Sequence, residues 1–96
     1  MIQDFADAAT EDLFHGISSK SARKIPQTLW SVARRKLDLL NAAQALMDLT
    51  APPANRLEAL KGDWKGYYSI RVNDQYRIVF KWAEGHAQDV QMIDYH

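Results

Sequence analysis

Two runs of alternating apolar and polar residues, separated by turn chemistry, constrain the fold of this chain more than any other feature. Tyr67 to Val72 sets Tyr68, Ile70 and Val72 on one side and Tyr67, Ser69 and Arg71 on the other. Tyr76 to Trp82 sets Tyr76, Ile78, Phe80 and Trp82 against Arg77, Val79 and Lys81. A period of two is the signature of a half-buried strand, and Asn73-Asp74-Gln75 between the runs supplies turn residues. The short connection predicts a hairpin pairing Val72 with Tyr76, Ile70 with Ile78 and Tyr68 with Phe80. A slip of one residue would send one strand's apolar set to the opposite face. The same register places Arg71 directly opposite Arg77 on the second face, where like charges repel. Two outcomes stay open: the guanidinium groups splay into water or meet acids such as Asp94, or they frame an anion site.

The remaining elements follow from weaker signals. Ile2 to Phe5 reads as a leading edge strand, and Ala6 to Phe14 as a short helix with early acids, ended by Gly16. Ser18 to Arg23 is a polar loop. Pro26 suits the first turn of a second helix, along which Leu29, Ala33, Leu37 and Leu40 form an apolar stripe that Trp30 joins. Arg34, Arg35 and Asp38 fall off that stripe. A third helical piece, Ala42 to Leu49, is expected before Ala51-Pro52-Pro53-Ala54-Asn55 stops it. Leu57 to Leu60 adds a short strand, Glu84-Gly85 a turn, and Asp89 to Tyr95 a last strand. The expected architecture is α+β: a small antiparallel meander packed against two to three N-terminal helices.

Ninety-six residues fit one small domain spanning 1–96, with no room for a cofactor domain beside a substrate domain. No apolar run approaches the ~20 residues that span a membrane. The first residues carry no basic segment followed by an apolar one, so the expectation is a cytoplasmic domain. The chain has no cysteine, which excludes disulfides, thiol catalysis and cysteine-based zinc sites. Twelve bases balance twelve acids, and on its face a neutral chain argues against nucleic-acid binding. The balance is segmental, however. Met1 to Asp12 holds only acids, Leu13 to Leu37 only bases, and Trp82 onward has no Lys or Arg. Local basic surface is therefore compatible with neutrality.

Among polar residues, His15 reads as a partner for a helix C-terminus, His86 as a solvated turn residue and His96 as part of a terminal tail. Trp30, Trp82 and Tyr76 read as core. Trp64, in Lys61-Gly62-Asp63-Trp64-Lys65-Gly66, sits in a turn and is harder to bury, which makes it a candidate contact for a base or a protein partner. Arg34-Arg35-Lys36 reads either as a solvated helix face or as a patch for phosphates or an acidic partner. There is no phosphate-binding glycine loop, no metal-ligand cluster and no nucleophile–base signature.

Several segments together carry a family resemblance. They are Asn55-Arg56-Leu57-Glu58-Ala59-Leu60-Lys61-Gly62-Asp63, Gly66-Tyr67-Tyr68-Ser69-Ile70-Arg71-Val72-Asn73, Tyr76-Arg77-Ile78-Val79-Phe80 and the terminal Ile93-Asp94-Tyr95-His96. The chain resembles, over its whole length, the HigB toxins of bacterial toxin–antitoxin systems, within the RelE/ParE superfamily. The resemblance implies a compact antiparallel sheet with helices on one face. It implies a metal-independent, cofactor-free endoribonuclease that cuts mRNA in the ribosomal A site. It also implies neutralisation by a HigA-type antitoxin with a helix-turn-helix domain, whose complex with the toxin, rather than the toxin alone, binds operator DNA.

Matched residue by residue, the family's terminal motif falls on Asp94, Tyr95 and His96, its strand arginine on Arg77 and its lysine on Lys61. Some members carry a histidine three residues before that lysine; here the position is Glu58. For an RNA cut by the neighbouring 2′-OH, His96 is the acid–base candidate, with Glu58 either a base or a support for His96 or Lys61. Lys61, Arg71 and Arg77 are the candidates to stabilise phosphate charge. Tyr95 is expected to orient a nucleotide, Asp94 its neighbours, and Arg34, Arg35, Lys36 and Trp64 to contact RNA. The ParE branch of the same superfamily, which acts by binding DNA gyrase, is the alternative.

Overall fold

In a computed structural model the described residues are 1–94, and the hairpin forms in the register the alternation dictates. The sheet has four strands in the order β1-β2-β3-β4, all antiparallel: β1 (Glu58–Ala59), β2 (Tyr68–Arg71), β3 (Tyr76–Ala83) and β4 (His86–Asp94). Tyr68 pairs with Phe80, Ile70 with Ile78 and Arg71 with Arg77. The Val72 N–H donates to the Tyr76 carbonyl, 3.0 Å, and closes the hairpin. Asn73 turns the chain by accepting from the amides of Gln75 and Tyr76 through its side chain, at 2.9 and 2.7 Å.

Two helices, α1 (Ala8–Phe14) and α2 (Trp30–Ala42), cover the apolar face of the sheet. Asp7 caps α1 by accepting from the Thr10 amide, 2.8 Å. The stripe on α2 is buried at Ala33, Leu37 and Leu40, and it meets Leu13 of α1 and Ile70, Ile78, Phe80 and Val90 of the sheet.

The expected third helix is the main departure. Ala43 turns extended (ψ 132°), and the amides of Gln44 and Ala45 donate to the Asp48 carboxylate at 3.0 and 3.1 Å, so only a 3-10 segment, Leu46–Thr50, follows. Asp48 offers those amides a partner that competes with helix.

The leading residues form no full strand but lie parallel beside β4, with bridges Ile2 to Ala87 and Phe5 to Val90. Where that segment leaves the edge, the Thr10 hydroxyl accepts from the Met92 amide, 2.9 Å. The edge is thus paired from Ala87 to Met92.

β4 starts three residues before its expected start. Glu84 and Gly85, at φ 52° and 79°, make a two-residue turn that puts His86 opposite Ala83 in the ladder. A bulge follows in β4, where Asp89 (φ 54°) and Val90 together face the single residue between Val79 and Lys81 of β3. It shifts the alternation, so that Ala87, Val90 and Met92 are the buried residues of β4. Leu37, fully buried where α2 meets the sheet, is expected to cost about 2–5 kcal/mol when replaced by alanine. Urea unfolding with an unchanged m-value checks this.

Candidate active face of the sheet

The second face of the sheet carries the polar set, and its organising residue is Arg77. Although paired opposite another arginine, its side chain is only 8% exposed. Nε donates to Ser69 Oγ at 2.7 Å, and Nη2 donates to the Arg56 carbonyl at 2.5 Å. Nη1 lies 3.7 Å from Glu58 Oε1. These partners come from three elements. Ser69 and Glu58 are register partners on β2 and β1. The Arg56 carbonyl is turned inward because Arg56 takes a left-handed conformation, φ 45°, after the 3-10 turn Pro53–Asn55. The like-charge opposition resolves by division: Arg71, partly exposed, turns outward to pair with Asp74.

The loop that delivers Arg56 is held from beneath. Asn55 is fully buried; its Nδ2 donates to the carbonyls of Leu49 and Ala51, and its Oδ1 accepts from Lys36 Nζ. Lys36 therefore departs from the surface role expected of it. It is 8% exposed, and burial together with the neighbouring Arg35 and Arg71 charges lowers its pKa from the ordinary 10.5. A signal was present in the sequence: position 36 lies three residues after Ala33 and four before Leu40, on the flank of the buried stripe.

The other expected residues divide as follows. Glu58 is half-exposed beside Arg77, and Lys61 is exposed at the start of the turn after β1. Asp94 lies opposite Tyr76 at the Arg77 end of the sheet and accepts from Gln75 Nε2 at 2.9 Å. Arg34 and Arg35 are exposed on α2, away from the sheet face that carries Arg77. Tyr95 and His96 lie outside the described residues. His15 ends α1 through its backbone, its amide donating to the Glu11 carbonyl at 3.1 Å, with its ring 5.2 Å from that of Phe14. His86 is not a solvated turn residue but half-buried in β4, with a buried Nδ1.

Sequence reasoning missed Ser69, Asn55 and the Arg56 carbonyl. Ser69 was legible as Arg77's neighbour on the same face, whereas a backbone carbonyl leaves no residue-type signal. Among the described residues no group of His, Asp and Glu has metal-site geometry, and no helix is long and apolar enough to cross a membrane.

A family described as the RelE-like toxin of the type II toxin–antitoxin system HigB matches residues 3–96. The chain belongs to the HigB-like toxin family. It is 45% identical over 87 residues to Toxin HigB-1 of Vibrio cholerae, covering 91% of this chain and 90% of that one. It is also 44% identical over 41 residues to a Proteus vulgaris protein named Endoribonuclease HigB, covering 43% of this chain and 45% of that one. The fold is similar to that in the solved YoeB–YefM complex from Staphylococcus aureus, with TM-score 0.62 and 21% identity over all of this chain and 98% of the matched one. This HigB-like toxin therefore pairs a RelE-like α+β fold with a fixed arginine on its polar sheet face.

The lowered pKa of Lys36 has a measurable sign. The unfolded chain binds the proton more tightly than the folded one, so the charged lysine opposes folding at neutral pH. That opposition is relieved as pH rises through the folded pKa toward 10.5. Relative to Lys36→Met, the wild-type urea midpoint is expected to rise with pH across that window; parallel profiles would show that Lys36 is not perturbed.

Proposed function

We propose that this toxin is a ribosome-dependent endoribonuclease that needs no metal, cuts translated mRNA in the cytoplasm and is neutralised by a HigA-type antitoxin. The observation that carries the reading is the fixed Arg77 guanidinium with the Glu58 carboxylate 3.7 Å from it. Such a pair sets a cation for a phosphate beside a group able to take a proton. The name of the Proteus vulgaris relative, Endoribonuclease HigB, supports the same chemistry.

In the proposed reaction the 2′-oxygen attacks the adjacent phosphorus, its proton passes to a base, and the bond to the 5′-oxygen breaks as an acid protonates the leaving group. The products are a 2′,3′-cyclic phosphate and a 5′-hydroxyl. His96 is assigned to acid–base work, since imidazole titrates near neutrality, and Glu58 to its complement. Arg77 meets the charge that builds on the phosphate oxygens, with partly exposed Arg71 opposite it in the ladder and exposed Lys61 three residues on from Glu58. Asp94 lies opposite Tyr76 at the Arg77 end of the sheet and is assigned to positioning its neighbours; Tyr95 is assigned to orienting a nucleotide. A neutral chain binds free RNA weakly, so positioning of the substrate falls to the ribosome. The HigA-type partner would carry the helix-turn-helix domain, and operator DNA would be bound only through the complex. Exposed Arg34 and Arg35 suit either ribosomal RNA or an acidic stretch of that antitoxin; a smaller salt slope of ribosome binding on their neutralisation would select RNA.

Transcript-end mapping after induction tests the reading. In-frame cuts within translated mRNA are expected, whereas gyrase-linked DNA breaks with intact mRNA would point to the ParE-like alternative. Arg77→Lys, checked for folding by circular dichroism, should lower cleavage by about a hundredfold, since an ammonium cannot reproduce the guanidinium fork. Deletion of His96 should abolish both cleavage and growth arrest, and full activity without it would sink the acid–base assignment.

A further inference from the structure

The polar face continues past the Arg77 site into an aromatic cluster. Tyr67 lies four residues before Arg71, and Lys81 four after Arg77, so the two share a row ~13 Å along the strands from the paired arginines. The Lys81 ammonium sits 5.0 Å from the Tyr67 ring centroid. The Tyr67 hydroxyl donates to Asp89 Oδ2 at 2.8 Å. Asp89 itself is fixed at the bulge, where its amide donates to Asp4 Oδ1 at 2.5 Å. Burial and the Asp89 bond raise the Tyr67 pKa, with the bond the larger cause, so this phenol stays protonated and serves as a post rather than a base.

Against that post stands Trp64, its ring perpendicular to Tyr67 at 5.1 Å between centroids. A perpendicular partner covers at most one face of an indole, and Trp64 is only partly buried, between exposed Asp63 and Lys65. An indole set perpendicular to a locked tyrosine, next to Lys65 in the chain and with Lys81 against the tyrosine's ring, matches how proteins hold a single-stranded base. The ring stacks on the base while the cations follow the backbone.

We propose that Trp64 is a stacking platform for one base of single-stranded RNA, buttressed by Tyr67 and Lys81 and set a few nucleotides from the phosphate at Arg77. The proposal rests on the endoribonuclease reading, yet it fixes something that reading leaves open: where along the sheet the strand runs, from the Arg71–Arg77 row toward Lys81. Trp30 cannot substitute, because it begins α2 and packs against the core on the apolar side of the sheet.

The test titrates the intact toxin with a short single-stranded oligoribonucleotide made uncleavable by 2′-O-methylation, up to millimolar, while indole N–H signals are followed by NMR. The Trp64 signal, assigned by its loss in Trp64→Phe, should shift saturably while that of Trp30 stays still. Trp64→Ala should weaken binding at least about fivefold with an unchanged salt slope, and Trp64→Phe should retain most of the affinity. Lys81→Ala should instead flatten the salt slope. Thermal melts of the variants confirm folding. A silent Trp64 signal during titration, or equal affinity in Trp64→Ala, overturns the platform. So does a signal that responds to an antitoxin peptide but not to RNA. Because the oligonucleotide lacks the attacking hydroxyl, these outcomes are independent of cleavage, and failure of the endoribonuclease reading is seen separately in the transcript ends.

Discussion

An arginine cannot shed its charge, so burying Arg77 obliges the surrounding chain to supply acceptors. Much of the polar half of the molecule answers that demand. Ser69 fills it from the partner strand, the Arg56 carbonyl from the loop and Glu58 from the edge. The left-handed turn at Arg56 has a physical reason in this light, since it points a carbonyl at the guanidinium. A two-residue edge strand has one as well: β1 needs only to carry Glu58 opposite Ser69. Removing an acceptor would leave a buried charge short of partners, which costs more than an ordinary hydrogen bond.

Arg71 and Arg77 occupy equivalent positions across one ladder yet end in opposite circumstances. Arg77 is enclosed and oriented. Arg71 pairs with an aspartate whose side chain is 98% exposed, and such a surface pair contributes little. It can be exchanged for another anion at small cost. The repulsion implicit in the register thus produces one cation that holds its position and one that is available. Lys36 extends the same logic to the helical layer. It carries a positive charge under the loop where an apolar residue would pack more easily, and its bond to Asn55 ties α2 to the segment that presents the Arg56 carbonyl.

The central hairpin was legible because two faces with different chemistry leave one register open to it, and the pairs Tyr68–Phe80, Ile70–Ile78 and Arg71–Arg77 form as the alternation requires. β4 was legible only in part. Its bulge at Asp89 breaks the period of two, so Ala87 and Val90 are both core residues three positions apart, and simple alternation starts only beyond them. The third helix failed for a local reason, a carboxylate at Asp48 that captures two amides. At the site, residue types spoke where side chains meet, at Arg77 and Glu58. They were silent where backbone does, at Arg56, and misleading at Lys36, where a charged residue hides on the flank of an apolar stripe.

Neutral net charge takes on a specific meaning within this geometry. Asp4 and Asp89, from the acidic ends of the chain, meet at the bulge, and Asp89 fixes Tyr67, whose ring lies under Lys81. The acids there act on backbone and phenol groups rather than cancelling the cations of the polar face. Lys61 and Lys65 flank the turn that carries Trp64, Lys81 lies over the Tyr67 ring, and all three are exposed, while the Arg71–Arg77 row lies at the other end of the hairpin. A sum of zero therefore coexists with local basic surface, because Asp4 and Asp89 hold backbone and phenol groups in place while Lys61, Lys65 and Lys81 stay exposed.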